Sequence, residues 1–294
     1  MLKIIFLTIA YLLSSKEAYS CASCGSGGDS PLVLFPGENK KVYLGVTNSN
    51  IGDYYDAKGK KADYYGIENK QSITAAAAYR LIDSVFTTLT LSAQKNEEAG
   101  EESYGMSDPL LSVYYLAMQQ NFLEPFRPQI SIIAQYKPAL MNSSRNIDWS
   151  SMSARDVFSD GLNEMRLGVD SWFFTNNFLY GLAFKTSYFL ETEVKDGSFQ
   201  REPGYKAIAT GGYAFGTVAK LIGGYSYNFK GSMLQNRELI DNSEIIDQSL
   251  FLSWYQKIDL QNLVRLTYSE SGLFTKKAYV NRTKNLTAGY LYLW

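Results

Sequence analysis

The chain has 294 residues and a formal net charge of -1, with 28 Lys and Arg against 29 Asp and Glu, so no global charge drives it toward nucleic acid. Aromatic residues make up 15% of it and charged residues 19%, which is unlike a disordered chain. It contains no His, which excludes imidazole acid–base catalysis, His-paired nucleophiles and His metal ligands.

Residues 1–20 have the features of an export signal. Lys3 precedes a mainly apolar run over 4–13, and the small Ala18 suits a cleavage site before Cys21. The run is about half of the roughly 20 apolar residues that a membrane-spanning helix needs. We therefore predict a cleaved signal peptide over 1–20, and lipidation of Cys21 stays open as an alternative.

Residues 21–40 form a short periplasmic leader with the only two cysteines, Cys21 and Cys24. In an oxidising periplasm a C-x-x-C pair most simply forms a local disulfide. A metal site would need ligands from Met, carboxylates or another protein, and covalent haem is excluded because Gly25 follows the pair. The apolar segment 31–36 could enter the periplasmic mouth of a barrel as a small plug, contact a periplasmic partner, or be unstructured.

From Lys41 onward, apolar residues recur at every second position in segments about ten residues long, which is typical of strands whose two faces meet different surroundings. We count about twelve such strands. The clearest alternation covers 73–79, 85–94, 129–137, 164–170, 180–187, 249–254 and 264–269, and weaker segments cover 41–49, 109–119, 206–215, 218–230 and 283–294.

The connections alternate between short and long in step with these strands. The short ones lie near 81–83, 120–126, 175–177, 216–217 and 258–259, and the long ones near 50–69, 96–108, 138–161, 191–205, 231–244 and 271–280. Transmembrane barrels have short periplasmic turns and longer external loops, whereas a soluble sandwich has no reason to collect its long loops at one end. We therefore predict an all-β fold, a transmembrane antiparallel β-barrel over 41–294 with both termini in the periplasm.

Aromatic residues near the strand ends are interpreted as interfacial girdles. They include Tyr114, Tyr115, Trp172, Phe173, Phe174, Tyr225, Tyr227, Phe229, Trp254 and Tyr255.

The last eight residues resemble the C-terminal signature of Gram-negative outer-membrane β-barrels, because a polar residue and a Gly precede alternating apolar or aromatic residues that end on an aromatic one. The resemblance implies an outer-membrane location in contact with lipid, and recognition of Thr287, Gly289, Tyr292 and Trp294 by the barrel-assembly machinery. In size and strand number the chain is similar to the twelve-stranded group, which includes channels for nucleosides and acidic sugars, a phospholipase and autotransporter translocators.

The residue composition and the organisation of the chain exclude several of these activities. The phospholipase, related lipid A deacylases and outer-membrane proteases resemble one another in using a His, which this chain lacks. An autotransporter would need a large passenger, and only about twenty residues separate the signal from the first strand. Glu164 and Asp170 are more simply neutralised by facing Arg than catalytic. We therefore predict that the protein is not an enzyme and needs no cofactor.

The alternation also predicts which charged residues face the lumen. The basic ones are Lys41, Arg80, Lys137, Arg166, Lys185, Lys206, Lys220 and Arg265, and the acidic ones are mainly Glu164, Asp170 and Asp247. A net positive tube favours anions, so we predict a channel or transporter for small polar or anionic solutes that works by passive diffusion. The alternative is a closed barrel that serves as a surface scaffold, or that docks a redox or metal-handling periplasmic partner through Cys21 and Cys24.

Overall fold

β-Strands form almost all of the regular structure in the residues that the computed structural model describes, which are 32–34, 38–55, 61–62, 67, 69–119, 127–141, 156–175, 177–194, 197–240, 243–272 and 280–294. Twelve described strands form a barrel wall: β1 (Lys40–Tyr55), β3 (Asn69–Ile82), β4 (Val85–Glu98), β6 (Leu110–Met118), β7 (Gln129–Lys137), β8 (Glu164–Thr175), β9 (Phe178–Phe189), β12 (Gly204–Phe215), β13 (Ala219–Lys230), β16 (Ile245–Lys257), β17 (Asn262–Ser271) and β18 (Val280–Leu293). Shorter strands lie in the connections: β2 (Lys61–Ala62), β5 (Glu101–Met106), β10 (Thr192–Val194), β11 (Gly197–Arg201), β14 (Met233–Gln235) and β15 (Glu238–Ile240).

The wall closes on itself. Each wall strand pairs antiparallel with its neighbour in chain order, and β18 returns to pair with β1, from Lys41 opposite Leu293 to Tyr55 opposite Val280. Closure leaves no open edge, so the wall's backbone groups find partners within the sheet. The predicted antiparallel barrel of about twelve strands is confirmed. Among the described residues no helix is long and apolar enough to cross a membrane.

The short turns lie at one end of the barrel, together with the beginning of β1 and the end of β18. We call this the terminal end. There the amide of Lys40 donates to the carbonyl of Trp294 at 3.1 Å, and only two residues separate β3 from β4. The opposite end, the loop end, carries the longer connections. In them β5 extends β4 as a hairpin, and β10, β11, β14 and β15 form a separate four-stranded sheet.

Outward side chains of the wall are mainly apolar and exposed, as the lipid-facing residues of a membrane barrel would be. Leu44 and Leu182, for example, are 53% and 61% exposed. Because neighbouring residues of a strand point to opposite faces, the residues between them line the interior.

The interior near the terminal end is apolar and aromatic. Tyr114, Trp172 and Tyr255 are buried there, and the rings of Phe86 and Tyr114 stack with 4.5 Å between their centroids. Their assignment to an interfacial girdle is therefore wrong. Adjacent aromatic residues of one strand cannot both face lipid, and of the first pair only Tyr115 points outward, with 49% of its surface exposed.

The seam between β1 and β18 encloses the ring of Tyr43, which is buried. Gly45 and Gly289 lie so close to this ring that a Cβ atom at either position would overlap it. Gly289, which the C-terminal signature assigns to assembly, therefore also makes room for an interior aromatic side chain.

We expect Gly289→Ala to lower the free energy of unfolding by about 1–3 kcal/mol, because the added methyl group forces the Tyr43 ring out of its place. The measurement is urea unfolding of refolded protein in lipid, followed by tryptophan fluorescence, which keeps assembly factors out of the comparison. Gly211→Ala is the matched control, since a Cβ there meets nothing within 4 Å. Equal stability of the two variants would contradict the packing role.

Candidate solute pathway through the barrel

The leader enters the barrel at its terminal end. Leu32, Val33 and Leu34 are 0%, 3% and 0% exposed and pack in the apolar layer of the interior. That layer takes side chains from every wall strand except β9 and β12. A segment that precedes the first strand thus fills the lumen near the terminal end.

Two of the predicted lumen cations hold this leader. Lys41, which is fully buried, donates from Nζ to the carbonyl of Val33 at 2.8 Å and pairs with Glu38 at 2.7 Å. Arg80 donates from Nε to the carbonyl of Glu38 at 2.8 Å. Their positions fit a role in anchoring the leader.

A cavity of about 330 Å³ occupies one side of the lumen and is lined mainly by hydroxyl groups. Neighbouring strands place these groups in pairs, such as Thr47 with Thr287 and Thr74 with Ser92, whose hydroxyl oxygens are 2.8 Å apart in each pair. The full lining is Tyr43, Thr47, Thr74, Thr90, Ser92, Lys206, Ser226, Asp247, Ser249, Phe251, Arg265, Thr267, Ser269, Ser271, Asn285 and Thr287. Hydroxyl groups both donate and accept, so this wall can replace part of the hydration of a polar solute.

A second, smaller cavity of about 30 Å³ is lined by basic side chains. Its lining is Glu164, Arg166, Lys185, Ser187, Lys206, Asn228 and Lys230. Arg166 donates from Nε and Nη2 to the two carboxylate oxygens of Glu164 at 2.6 and 2.8 Å. Four cations thus meet one carboxylate among the described lining residues. Lys206 lines both cavities and marks where they adjoin.

Residues 156–163, here called the crossing segment, lie across the lumen toward the loop end. On one side, Asn96 and Gln94 of β4 donate from their amides to the carbonyls of Val157 and Phe158, each at 3.1 Å. On the other side, Asp160 pairs with Lys230 of β13 at 3.2 Å. Because β4 and β13 are the third and ninth of twelve wall strands, these contacts lie on opposite walls.

Asp160 also connects the crossing segment to a third strand. Its Oδ1 lies 2.8 Å from Nζ of Lys137 on β7, whose ammonium group is also 3.8 Å from Glu164. Ser159 donates to Asp108 in the same region. Burial alone would raise the pKa of Asp160, but the ammonium groups of Lys137 and Lys230 outweigh it and hold the pKa well below its usual range.

The remaining predicted lumen residues also lie on inward faces. Lys185 is buried and donates to Oε1 of Gln135 at 3.2 Å, and Asp170 is buried opposite Ser131 in the pairing of β7 with β8. Lys220 is buried, and Arg265 lies 5.4 Å from the centre of the Tyr255 ring. Their part in selectivity stays a prediction.

The charged residues around the small cavity, together with Lys137 and Asp160, are here called the basic region, and sequence reasoning missed two of them. Lys230 follows from the same alternation that places Lys220 inward, so that signal was available. Asp160 lies in a connection with no periodic pattern, so no feature of the sequence places it in the lumen.

The cysteine pair, Cys21 and Cys24, lies outside the described residues, as do the predicted signal peptide and its cleavage site. Within the described part of the chain, no group of three or more Cys, Asp or Glu is arranged to hold a metal ion.

We expect Leu34→Asp to expel the leader and raise the single-channel conductance, because an unpaired carboxylate in the apolar layer costs several kcal/mol. The measurement is planar-bilayer recording of the refolded protein. Leu239→Asp is the control, since Leu239 is 59% exposed on β15, away from the barrel interior. An unchanged conductance in a folded Leu34→Asp barrel would contradict the blocking role.

The crossing segment should stay in place in mild acid. A carboxyl group whose pKa is lowered by folding stabilises the fold above its ordinary pKa, here 3.8, and that stability is lost only as the pH falls toward the lower value. We therefore expect amide protection over 156–163, measured by hydrogen exchange, to persist from neutral pH to about pH 5. Asp160→Asn should show weak protection throughout this range. Loss of wild-type protection above pH 5 would count against the pairing.

Two solved structures resemble the whole barrel. The COG4313 outer membrane channel from Pseudomonas putida F1 matches with a TM-score of 0.67 and 11% identity, covering 89% of this chain and 100% of that chain. The NanC porin matches with a TM-score of 0.51 and 8% identity, covering 85% of this chain and 98% of that chain. No protein-family model matches the chain, and a search of curated proteins finds no match. At these identities the likeness concerns the fold, and the chain therefore has the fold of outer-membrane twelve-stranded β-barrels.

Proposed function

We propose that this protein is an outer-membrane channel that passes small polar solutes by diffusion and favours anions. The observation that carries the proposal is the small cavity, whose described lining contains Arg166, Lys185, Lys206 and Lys230 and one carboxylate, that of Glu164, with Asp160 beside it on Lys230. Cations focused in a narrow, low-dielectric tube attract anions and repel cations.

The wider interior has the same charge bias. On the described inward faces of the wall, basic residues outnumber acidic ones. The basic ones are Lys41, Lys70, Arg80, Lys137, Arg166, Lys185, Lys206, Lys220, Lys230, Lys257 and Arg265, and the acidic ones are Glu98, Glu164, Asp170 and Asp247. The outward residues are mainly apolar, so the charge bias belongs to the interior.

The route runs from the loop end toward the terminal end. A solute passes the crossing segment, meets the basic cavity, and reaches the hydroxyl-lined cavity beside Lys206. Ser and Thr hydroxyl groups there replace water around the solute. The leader residues Leu32 to Leu34 narrow the exit, so conductance through the wild-type protein is small until they shift.

The export, location and partners of the protein belong to the same proposal. It is exported by a cleaved signal peptide, inserted by the barrel-assembly machinery, and surrounded by outer-membrane lipid. It carries no enzyme activity and no cofactor. The two similar structures named above are a channel and a porin, and this supports the proposal.

A closed scaffold is the second candidate, and two observations favour it. The strands β10, β11, β14 and β15 form a sheet of their own beyond the loop end, where a scaffold would display it. The leader and the crossing segment both cover the lumen, as a closed barrel would require. Such a barrel would fold normally and conduct nothing.

Charge reversal separates the two candidates. We expect Lys206→Glu to shift the permeability ratio several-fold from chloride toward potassium, because Lys206 lines both cavities and any pathway that joins them passes it. The measurement is the reversal potential of single channels in a potassium chloride gradient.

Lys284→Glu is the matched control, since Lys284 is exposed on the outward face of β18 and should leave selectivity unchanged. A folded, heat-modifiable barrel that stays silent in every variant would contradict the channel and favour the scaffold. An equal shift in both variants would show that the lumen charges do not set selectivity.

A further inference from the structure

We propose that Lys137 and Lys230 form a binding site for a carboxylate group of the passing solute, and that the side chain of Asp160 occupies this site in the present structure. The inference rests on the proposed channel function and names the chemical group that the basic region recognises.

The geometry is that of a carboxylate held by two ammonium groups. Oδ1 of Asp160 lies 2.8 Å from Nζ of Lys137, and Oδ2 lies 3.2 Å from Nζ of Lys230. The two lysines belong to the wall strands β7 and β13, which are not neighbours in the sheet. Asp160 belongs to neither strand and comes from the crossing segment. The cations are thus fixed in the wall, whereas the anion is carried on a connection.

The surroundings of the pair favour an anion rather than a neutral group. Lys230 also lines the small cavity, with Arg166, Lys185 and Lys206. The centre of the Phe189 ring lies 5.8 Å from Nζ of Lys230. When Asp160 leaves, the basic region loses a negative charge, and an anion from solution restores it.

The site adjoins the proposed solute route through Lys230. It is next to the small cavity, which at about 30 Å³ holds about one water molecule while Asp160 is in place. Lys230 lines this cavity together with Lys206, which also lines the hydroxyl-lined cavity. A carboxylate bound to the two lysines would therefore stand at the entrance to the larger cavity.

The other anchors of the crossing segment can hold it in place while the Asp160 side chain exchanges. The side chains of Phe158 and Leu162 are buried, Gln94 and Asn96 donate to backbone carbonyls, Ser103 donates to Asp156 at 2.6 Å, and Ser159 donates to Asp108. A tethered group competes with free ligand at a high effective concentration, so a solute carboxylate has to overcome the local concentration of Asp160. Removing that competitor should expose the site.

The test uses acetate as the probe and the refolded full chain. Chloride current through single channels is recorded while acetate replaces part of the chloride at constant ionic strength. In Asp160→Asn we expect acetate to reduce the current in a saturable manner, at a concentration about ten-fold or more below that needed in the wild type. Asp156→Asn is the matched control, because it removes a carboxylate from the same segment without touching either lysine. It should respond to acetate as the wild type does.

A double variant locates the bound acetate. Asp160→Asn combined with Lys230→Met should lose the sensitivity that Asp160→Asn alone gains, because one of the two ammonium groups is gone. A direct binding measurement by saturation-transfer NMR accompanies the currents. Transfer from Asp160→Asn protein to acetate, absent in the double variant, is expected whether or not the barrel conducts.

Three outcomes would overturn the proposal. The first is an equal acetate response in the wild type and Asp160→Asn. The second is a higher current in Asp160→Asn without an acetate effect, since Asp160 would then only fasten the segment. The third is saturation transfer that survives the Lys230 substitution. None of these requires the channel to fail, whereas a silent wild type and silent variants count against the channel, and the NMR measurement then still decides the binding site.

Discussion

The pairing of β18 with β1 is the constraint on which the rest of this molecule depends. A wall whose outer face is apolar cannot leave backbone amides and carbonyls without partners, and closing the sheet satisfies them all within it. Closure also creates an interior, and strand pairing alone does not determine which side chains fill it. The small residues Gly45 and Gly289 at the closing seam admit the ring of Tyr43, so the seam and the interior packing are built together.

The interior is divided into two kinds of surroundings. Near the terminal end it resembles the core of a soluble protein, where Phe86, Tyr114 and Trp172 pack around the leader residues 32–34. Toward the loop end it is polar, with paired hydroxyl groups on one side and clustered cations on the other. An apolar layer excludes water and ions, so any path for polar solutes is restricted where the leader lies and is favourable beyond it.

Much of the barrel could be predicted because a strand with a period of two shows its faces directly in the sequence. Lys137 and Arg166 lie inward because their apolar neighbours, Tyr136 and Met165, lie outward. The same rule corrects the girdle assignment, since Tyr114 and Tyr115 cannot share a face. It places Lys230 inward as well.

What could not be predicted lies in segments without periodicity. An apolar run such as 32–34 is compatible with a plug, a docking segment or a free leader, and only the three-dimensional contacts of Lys41 with Val33 and Glu38 distinguish them. Asp160 gave no signal either, because its contacts come from strands that lie far away in the sequence. In both cases the chain places its own groups in the lumen, and only their three-dimensional contacts identify them.

These two self-contacts differ in how readily a solute could replace them. At the terminal end, Lys41 binds a backbone carbonyl inside an apolar layer, and a dissolved molecule offers no substitute for the packing of Leu32 and Leu34. At the loop end, Asp160 is held by charge, and a dissolved anion can form the same contacts with Lys137 and Lys230. In the proposed channel, discrimination between solutes would therefore arise at the loop end, and the leader would limit the flow of the solutes admitted there.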